Sequence, residues 1–540
     1  MDIARTDAAG TVTTVPLLLR QRAAECGTKR FLVCDSDVLR YDEAERRSAL
    51  LARGLLAAGV GKGSHVGLLH PNGSEFAVAA LAAARIGAVV IPFSTMSTAL
   101  ELRALLRQSD VRFLLSGSSY RSRDFVETLR TAVPELEPDA EHPVMSPTVP
   151  TLRRVWFSGT KDDAVPPRWR ADSLYEAAET VGEDLLRAAE ELVRPADRLV
   201  IVHTSGSTSE PKGVIHTHGG LLRHTAGLNA VRRYDADEVL FSNSPFFWIG
   251  GFAANFIATL VAGARLVCSG ARDAGEALDL LERERPTLVN GFAQSVAHLA
   301  EHPSFPGRDL SSIKRGNLYP IMPVGVRPAD PELRHDMLGM TEAGSICLLS
   351  EDEGEQPEHR RGSFGKPAPG LEACVRDTAD GTECGPGEPG ELHFRGPSMM
   401  EGYYGRERQE TFDADGWYAT GDLVTCDADG FFYFKGRRSE MIKTSGANVS
   451  PREVERAIHE VTGLRSHVIG IDDADRGEIV AAAVITADPA AVSEADLRAG
   501  LAERLSPYKI PRRVRAMTAG EVPMMTSGKL DLRRLRELLK

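Results

Sequence analysis

The chain has 540 residues, enough for several domains and a large core. Its formal charge of −12, from 64 Lys and Arg against 76 Asp and Glu, excludes a general nucleic-acid coat, which needs a basic face. It leaves room for a mononucleotide site built from a few local donors. Seven scattered cysteines, an odd set with no C-x-x-C pair, point to reduced thiols of the cytoplasm and not to a disulfide frame.

The N-terminus, Met1-Asp-Ile-Ala-Arg-Thr-Asp-Ala, has neither a basic start nor an apolar signal core. Three- and four-residue apolar steps predict a helix over 44–58, followed by a strand at His65-Val-Gly-Leu-Leu69. The longest apolar stretch, Phe76 to Pro92, is broken by Arg85 and Gly87 and is too short to span a bilayer. It predicts a buried helix over 75–86 leading into a strand over 88–91. A helix over 100–108 and a strand over 111–115 follow. This alternation predicts a parallel sheet with helices on its faces.

Residues 133–173 lose periodicity and carry many prolines, which predicts a surface excursion. Alternation resumes at the apolar run Leu199-Val-Ile-Val-His203 and continues to about residue 349, giving a second α/β region. From 362 to 434, Gly-rich turns and short strands such as Gly390-Glu-Leu-His-Phe-Arg395 predict a small β-rich subdomain. The last hundred residues contain a helix over 451–461, strands over 467–471 and 479–485, and a helix over 494–505. They form a small α+β domain. The expected division is 1–437 and 438–540, with a hinge near Ser439.

The run Leu199–His203 empties into Thr204-Ser-Gly-Ser-Thr-Ser-Glu-Pro-Lys-Gly213. Thr204, Ser205, Ser207 and Thr208 offer hydroxyls, Gly206 lets the backbone come close, and Lys212 adds positive charge. Together they form a cradle for anionic oxygens, best suited to a triphosphate. It is not a Walker loop, because Pro211 precedes Lys212 and Gly213 follows it. The pair His216 and His218 forms H-x-H without a spaced third metal ligand, which favours a structural or phosphate-proximal role for His218.

Four further stretches carry chemistry: Leu338-Gly-Met-Thr-Glu-Ala-Gly344, Gly416-Trp-Tyr-Ala-Thr-Gly-Asp-Leu423, Phe434-Lys-Gly-Arg437 and Thr526-Ser-Gly-Lys529. With the first loop, and in this order, they resemble the adenylate-forming superfamily of acyl-CoA synthetases, amino-acid adenylation domains and beetle luciferase. The resemblance covers nearly the whole chain. It implies that Thr204 to Gly213 hold the β- and γ-phosphates of ATP, and that Thr341 and Glu342 serve the α-phosphate and Mg²⁺. It implies that Asp422 accepts the ribose hydroxyls, that Arg437 also reaches the ribose, and that Lys529 bridges the acid and the α-phosphate during adenylation. The C-terminal domain then rotates about Ser439, and the segment with Lys443 and Gly446 lines the pantetheine tunnel of CoA.

Two departures stand out. Leu338 lies where many relatives have an adenine-stacking tyrosine, so no stacking residue is named. Ser244-Pro-Phe-Phe-Trp-Ile-Gly-Gly251 resembles the family's acyl-pocket segment, with Phe247, Trp248, Gly250 and Gly251 as pocket candidates and Trp248 in place of a common histidine. Trp248 either narrows the tunnel or packs in the core. This neighbourhood lacks the aspartate that would hold a substrate ammonium, so the expected acid is hydrophobic: fatty, aryl or bulky alicyclic.

The expected activity is formation of acyl-AMP with release of pyrophosphate, then transfer to the thiol of CoA. Two alternatives stay open: a stand-alone adenylation enzyme serving a carrier protein or partner enzyme, and an inactive nucleotide-binding regulator. Monomer and homodimer are not distinguished.

Overall fold

The computed structural model describes residues 14–136, 143–159, 165–204, 211–437, 441–524 and 530–540. The chain divides into two compact units. One comprises Met1–Thr95, Leu106–Val202 and Gly213–Gly436; the other comprises Met96–Leu105, His203–Lys212 and Arg437–Lys540.

A seven-stranded sheet runs in the order Gly402–Tyr403, Lys212–Thr217, Arg198–Thr204, Val89–Pro92, His65–Leu69, Phe113–Gly117 and Arg154–Ser158. The last five strands pair in parallel, whereas Gly402–Tyr403 pairs antiparallel with Lys212–Thr217. Parallel strands need cover on both faces, and the helix Ser74–Arg85, packed on His65–Leu69 and Val89–Pro92, supplies part of it. In Ser74–Arg85 every side chain except Glu75 is buried, as the unbroken Ala-rich run predicts. Arg85 is tolerated there because it is paired: Nε donates to Glu190 at 2.6 Å and Nη2 to Glu45 at 2.8 Å. No helix of the described residues is long and apolar enough to cross a membrane.

A six-stranded sheet combines Arg315–Gly316, Leu288–Val289, Val239–Phe241, Arg265–Cys268, Arg30–Cys34 and Asp37–Arg40. Its last two strands come from far earlier in the chain than the other four. Cys34 and Cys268 stand opposite one another in its parallel register, and all seven cysteines are free thiols. A four-stranded sheet of Glu372–Arg376, Gly390–Arg395, Tyr418–Cys426 and Phe432–Arg437 forms the β-rich part expected over 362–434.

The surface excursion expected over 133–173 needs correction. Arg154–Ser158 is an edge strand, and Val155, Trp156 and Phe157 are buried. The prolines on either side hid a short apolar run whose value comes from lateral pairing with Phe113–Gly117. That partner strand also starts two residues later than its composition suggests.

In the second unit, Gly477–Ile485 pairs with Arg465–Asp473, Ile442–Thr444 and Arg513–Met517. Ile442–Thr444 and Ala447–Val449 close a hairpin through Ser445 and Gly446, with φ of 48° and 83°. A two-residue turn with both φ positive matches the strand twist, and Gly446 takes such a φ without strain. The helices Pro451–Thr462 and Glu494–Ala502 belong to the same unit. Lys509 is buried there between Glu101 at 2.7 Å and Glu453 at 2.8 Å, and Ser506 Oγ also donates to Glu101. Burial is the largest influence and pushes the Glu101 carboxyl up, but the Lys509 charge and the hydrogen bonds from Lys509, Thr98 and Ser506 together hold it below the usual range.

Candidate functional site

Thr204 ends the strand Arg198–Thr204 and Lys212 opens the strand Lys212–Thr217. Ser205, Gly206, Ser207 and Thr208 lie outside the described residues, as do Ser439, Lys529 and the side chain of Arg437. Lys443 and Gly446 lie in the second unit, Lys443 exposed on its strand and Gly446 in the hairpin turn.

Thr341 and Glu342 sit on a 3₁₀ turn, Thr341–Ala343, between the strands Leu338–Met340 and Ser345–Leu349. The turn ends at Gly344 with φ 80°. A Cβ there would meet His224 Cδ2 at 3.3 Å and Leu221 Cδ1 at 3.4 Å, so glycine serves both the dihedral and the packing. Three hydrogen bonds hold the turn. His216 Nε2 reaches the Thr341 carbonyl at 2.7 Å, Met400 N donates to the Glu342 carbonyl at 2.8 Å, and Tyr403 Oη donates to Glu342 Oε1 at 2.8 Å. A carbonyl only accepts, so His216 carries its proton on Nε2. Burial lowers this histidine to about 4, against the opposing pull of the Thr341 bond, which keeps it neutral.

Asp422 lies on the strand Tyr418–Cys426 and is 1% exposed. The Thr420-Gly421-Asp422 step falls at a break in register against Gly390–Arg395, and Gly421 has φ 77°. Such a bulge re-aims a side chain. Thr420 Oγ1 donates to the Leu392 carbonyl and accepts from Asp422 N, while Gly421 N donates to Glu391. Asp422 and Glu342 share neighbours. Burial first, then the Asp422 charge and, more weakly, Glu342, drives the Cys347 thiol far up. Burial, then Glu342 and, more weakly, Asp422, does the same to the Tyr418 phenol. Two carboxylates expected to serve one nucleotide are therefore brought to a common place in the first unit.

The segment 244–251 is held by Asn72, whose Nδ2 donates to the Ser244 carbonyl at 3.0 Å and whose Oδ1 accepts from Phe246 N at 2.8 Å. Gly250–Ile257 forms a π-helix, a rare form that occurs frequently at functional sites. Gly251 is forced, since a Cβ there would lie 2.0 Å from the Pro245 carbonyl oxygen. Phe247 is buried, whereas Trp248 is half-buried and edge-on to Phe247 at 5.5 Å. Behind them Phe76, Phe246, Phe252 and Phe256 form a continuous aromatic cluster. Leu338 is buried in the core below the 3₁₀ turn.

Sequence reasoning missed Asn72, Tyr403 and the part played by His216. Tyr418 lay inside a stretch it had singled out. His218, in contrast, accepts from Val15 N through Nδ1 at 3.2 Å, a structural contact.

The AMP-binding enzyme family matches residues 19–404, and the AMP-binding enzyme C-terminal domain matches 453–529. The feruloyl-CoA synthase of an Amycolatopsis species is 31% identical over 506 residues, covering 91% of this chain and 92% of that protein. The 3-[(3aS,4S,7aS)-7a-methyl-1,5-dioxo-octahydro-1H-inden-4-yl]propanoyl:CoA ligase of Rhodococcus jostii is 29% identical over 537 residues, covering 97% and 98%. The amide bond synthetase McbA of Marinactinospora thermotolerans shares the fold with a TM-score of 0.76 at 24% identity, covering 96% and 99%. The ordered motifs, the two-carboxylate site and these matches agree: the chain belongs to the AMP-binding enzyme family of adenylate-forming enzymes, close to the acyl-CoA synthetases, and is an AMP-forming acid–thiol ligase.

Proposed function

We propose that the protein activates a hydrophobic carboxylic acid with ATP and Mg²⁺, forming acyl-AMP and pyrophosphate, and then transfers the acyl group to the thiol of CoA. The observation that carries this reading is the Thr341–Glu342 turn, locked from three sides and sharing neighbours with a buried Asp422. Asp422 offers two acceptor oxygens to a vicinal diol. Thr341 and Glu342 offer only oxygen donors, which fits a hard cation that prefers one or two carboxylates plus phosphate oxygens. When bound there, Mg²⁺ supplies charge neutralisation at the phosphates.

Thr204, Ser205, Gly206, Ser207, Thr208 and Lys212 would wrap the β- and γ-phosphates. Thr341 would orient the α-phosphate for in-line attack by the substrate carboxylate. Arg437 would join Asp422 at the ribose. Lys529 would place fixed positive charge where the pentavalent phosphorus gathers negative charge, usually a large catalytic contribution. After the C-terminal domain, residues 438–540, turns about Ser439, Lys443 and Gly446 would line the path of the CoA thiol.

The acid is fatty, aryl or bulky alicyclic. The segment bearing Phe247, Trp248, Gly250 and Gly251 is apolar and backed by aromatic rings, and an unpaired ammonium there would be costly. The two CoA-forming relatives carry an aryl and an octahydroindenyl acid in their names, which supports the last two classes. The test is a panel of carboxylic acids scored for ATP–pyrophosphate exchange, followed by thioester detection with CoA. Exchange with lipophilic acids and a CoA-dependent thioester are expected. No exchange with any acid overturns the reading. Exchange without a thioester moves it to a stand-alone adenylating enzyme that serves a carrier protein or an amine.

A further inference from the structure

We propose that Tyr403, with Tyr418 behind it, is a positioning residue that orients the Glu342 carboxylate toward a divalent cation. This rests on the reading of Glu342 given above.

Tyr403 Oη donates to Glu342 Oε1 at 2.8 Å, and the two phenol oxygens lie 2.9 Å apart. A phenol has one hydrogen. Tyr403 spends its own on Glu342, so the bond between the phenols is donated by Tyr418. The order of donation is thereby set: Tyr418 to Tyr403 to Glu342. Both phenols are buried.

The choice of side chain is informative. An Arg or Lys on Glu342 would orient it but cancel the charge a cation needs. A neutral phenol orients the carboxylate and leaves its charge in place. With its carboxylate oriented by Tyr403 through Oε1, Glu342 would help hold a divalent cation and supply negative charge to it. Groups that hold a metal ligand in this way typically matter about 10- to 100-fold in metal affinity.

Tyr403 is also tied to the phosphate-binding side of the site. Gly402–Tyr403 pairs with Ile215 and Val214, on the strand that leaves the Ser/Gly-rich loop. Tyr404 N donates to the Gly213 carbonyl at 2.7 Å, Glu401 N to Ile215 at 2.9 Å and Met400 N to Glu342 at 2.8 Å. One short segment thus anchors the backbone beyond the loop, the Glu342 carbonyl and the Glu342 carboxylate. A shift of the strand would move the carboxylate with it.

The test measures Mn²⁺ binding by water-proton relaxation on the full chain, saturated with α,β-methylene-ATP, for wild type, Tyr403→Phe and Tyr418→Phe. Nucleotide binding in EDTA is measured alongside. Tyr403→Phe should weaken Mn²⁺ by about 10-fold and Tyr418→Phe by less, with nucleotide binding in EDTA unchanged. Excess Mg²⁺ should restore turnover in Tyr403→Phe, which a general folding defect would not allow. Unchanged Mn²⁺ affinity in both variants, or an equal loss of metal-free nucleotide binding, overturns the proposal. If Tyr403→Phe does not fold, Tyr418→Phe decides: it keeps the Tyr403 phenol on Glu342 and removes the second phenol of the pair, and unchanged Mn²⁺ affinity then overturns the ordered pair. Failure of the wild type to bind Mn²⁺ with nucleotide would instead remove the reading of Glu342 itself.

Discussion

His216 gives its single proton to the carbonyl of Thr341, and Tyr403 gives its own to the neighbouring carboxylate. Both contacts join residues far apart in sequence, by 125 and 61 positions, and the Asn72 clamp on Phe246 spans 174. That is why these three were not legible in the sequence. Each is a common residue without a local pattern, and its meaning comes only from what folding sets against it. Glu342 and Asp422 were legible because they lie inside short runs of glycine and hydroxyl residues. Lys529 rests on the sequence alone, and its substitution is the direct test. Lys529→Ala should raise the adenylation barrier by about 3–4 kcal/mol, the usual cost of one preorganised donor. Thioester formation from synthetic acyl-AMP should be spared. Single-turnover assays of the two half-reactions read this directly, and equal losses in both would count against a lysine dedicated to the first step.

At the scale of elements, periodicity predicted the buried helix Ser74–Arg85 and the strand His65–Leu69 to within a residue or two. It failed at Arg154–Ser158, where five residues flanked by prolines carry too little pattern to separate an edge strand from a loop. It also gave no sign of the π-helix at Gly250–Ile257, because a wider turn leaves a run that is apolar but for Asn255 unchanged in composition. The tight approach of Gly251 to Pro245 gives that element a sharp test. Gly251→Ala puts a methyl into a backbone carbonyl, which must move. An overpacking cost of about 1–3 kcal/mol is expected, with KM for the acid raised and KM for ATP nearly unchanged. Chemical denaturation and steady-state kinetics measure the two effects. A rise in KM for ATP alone would remove the 244–251 segment from the acid pocket.

Across the whole molecule, the described residues hold five histidines, His70, His203, His216, His218 and His224, that burial lowers from 6.5 to about 4. Their folded values lie below the unfolded one, so the unfolded chain binds more protons between these limits. The stabilising effect is complete above about 6.5 and is lost as pH falls toward about 4, at roughly 1.4 kcal/mol per pH unit for each histidine. Together they bring a slope of about 7 kcal/mol per pH unit, comparable with the full stability of a typical domain. Acid unfolding should therefore be steep and centred near about pH 5, followed by circular dichroism at fixed temperature. A flat response from pH 6.5 to about 4.5 would show that these imidazoles are not buried as described. The two parallel-sheet regions and the β-rich part were readable from alternation and turn composition. The origin of two strands of the six-stranded sheet in residues 30–40 was not, because strand order is a long-range property.

The distribution of sulfur gives the protein an internal reporter. All seven thiols fall within the first unit, four of them shielded (Cys34, Cys268, Cys347 and Cys374) and three partly open (Cys26, Cys384 and Cys426). A chromogenic disulfide reagent should colour in two stages, three equivalents at once and four more only as the surrounding sheets come apart. The slow stage would time the opening of that unit alone, blind to events among residues 437–540, so the colourimetric trace follows loss of the larger body by itself.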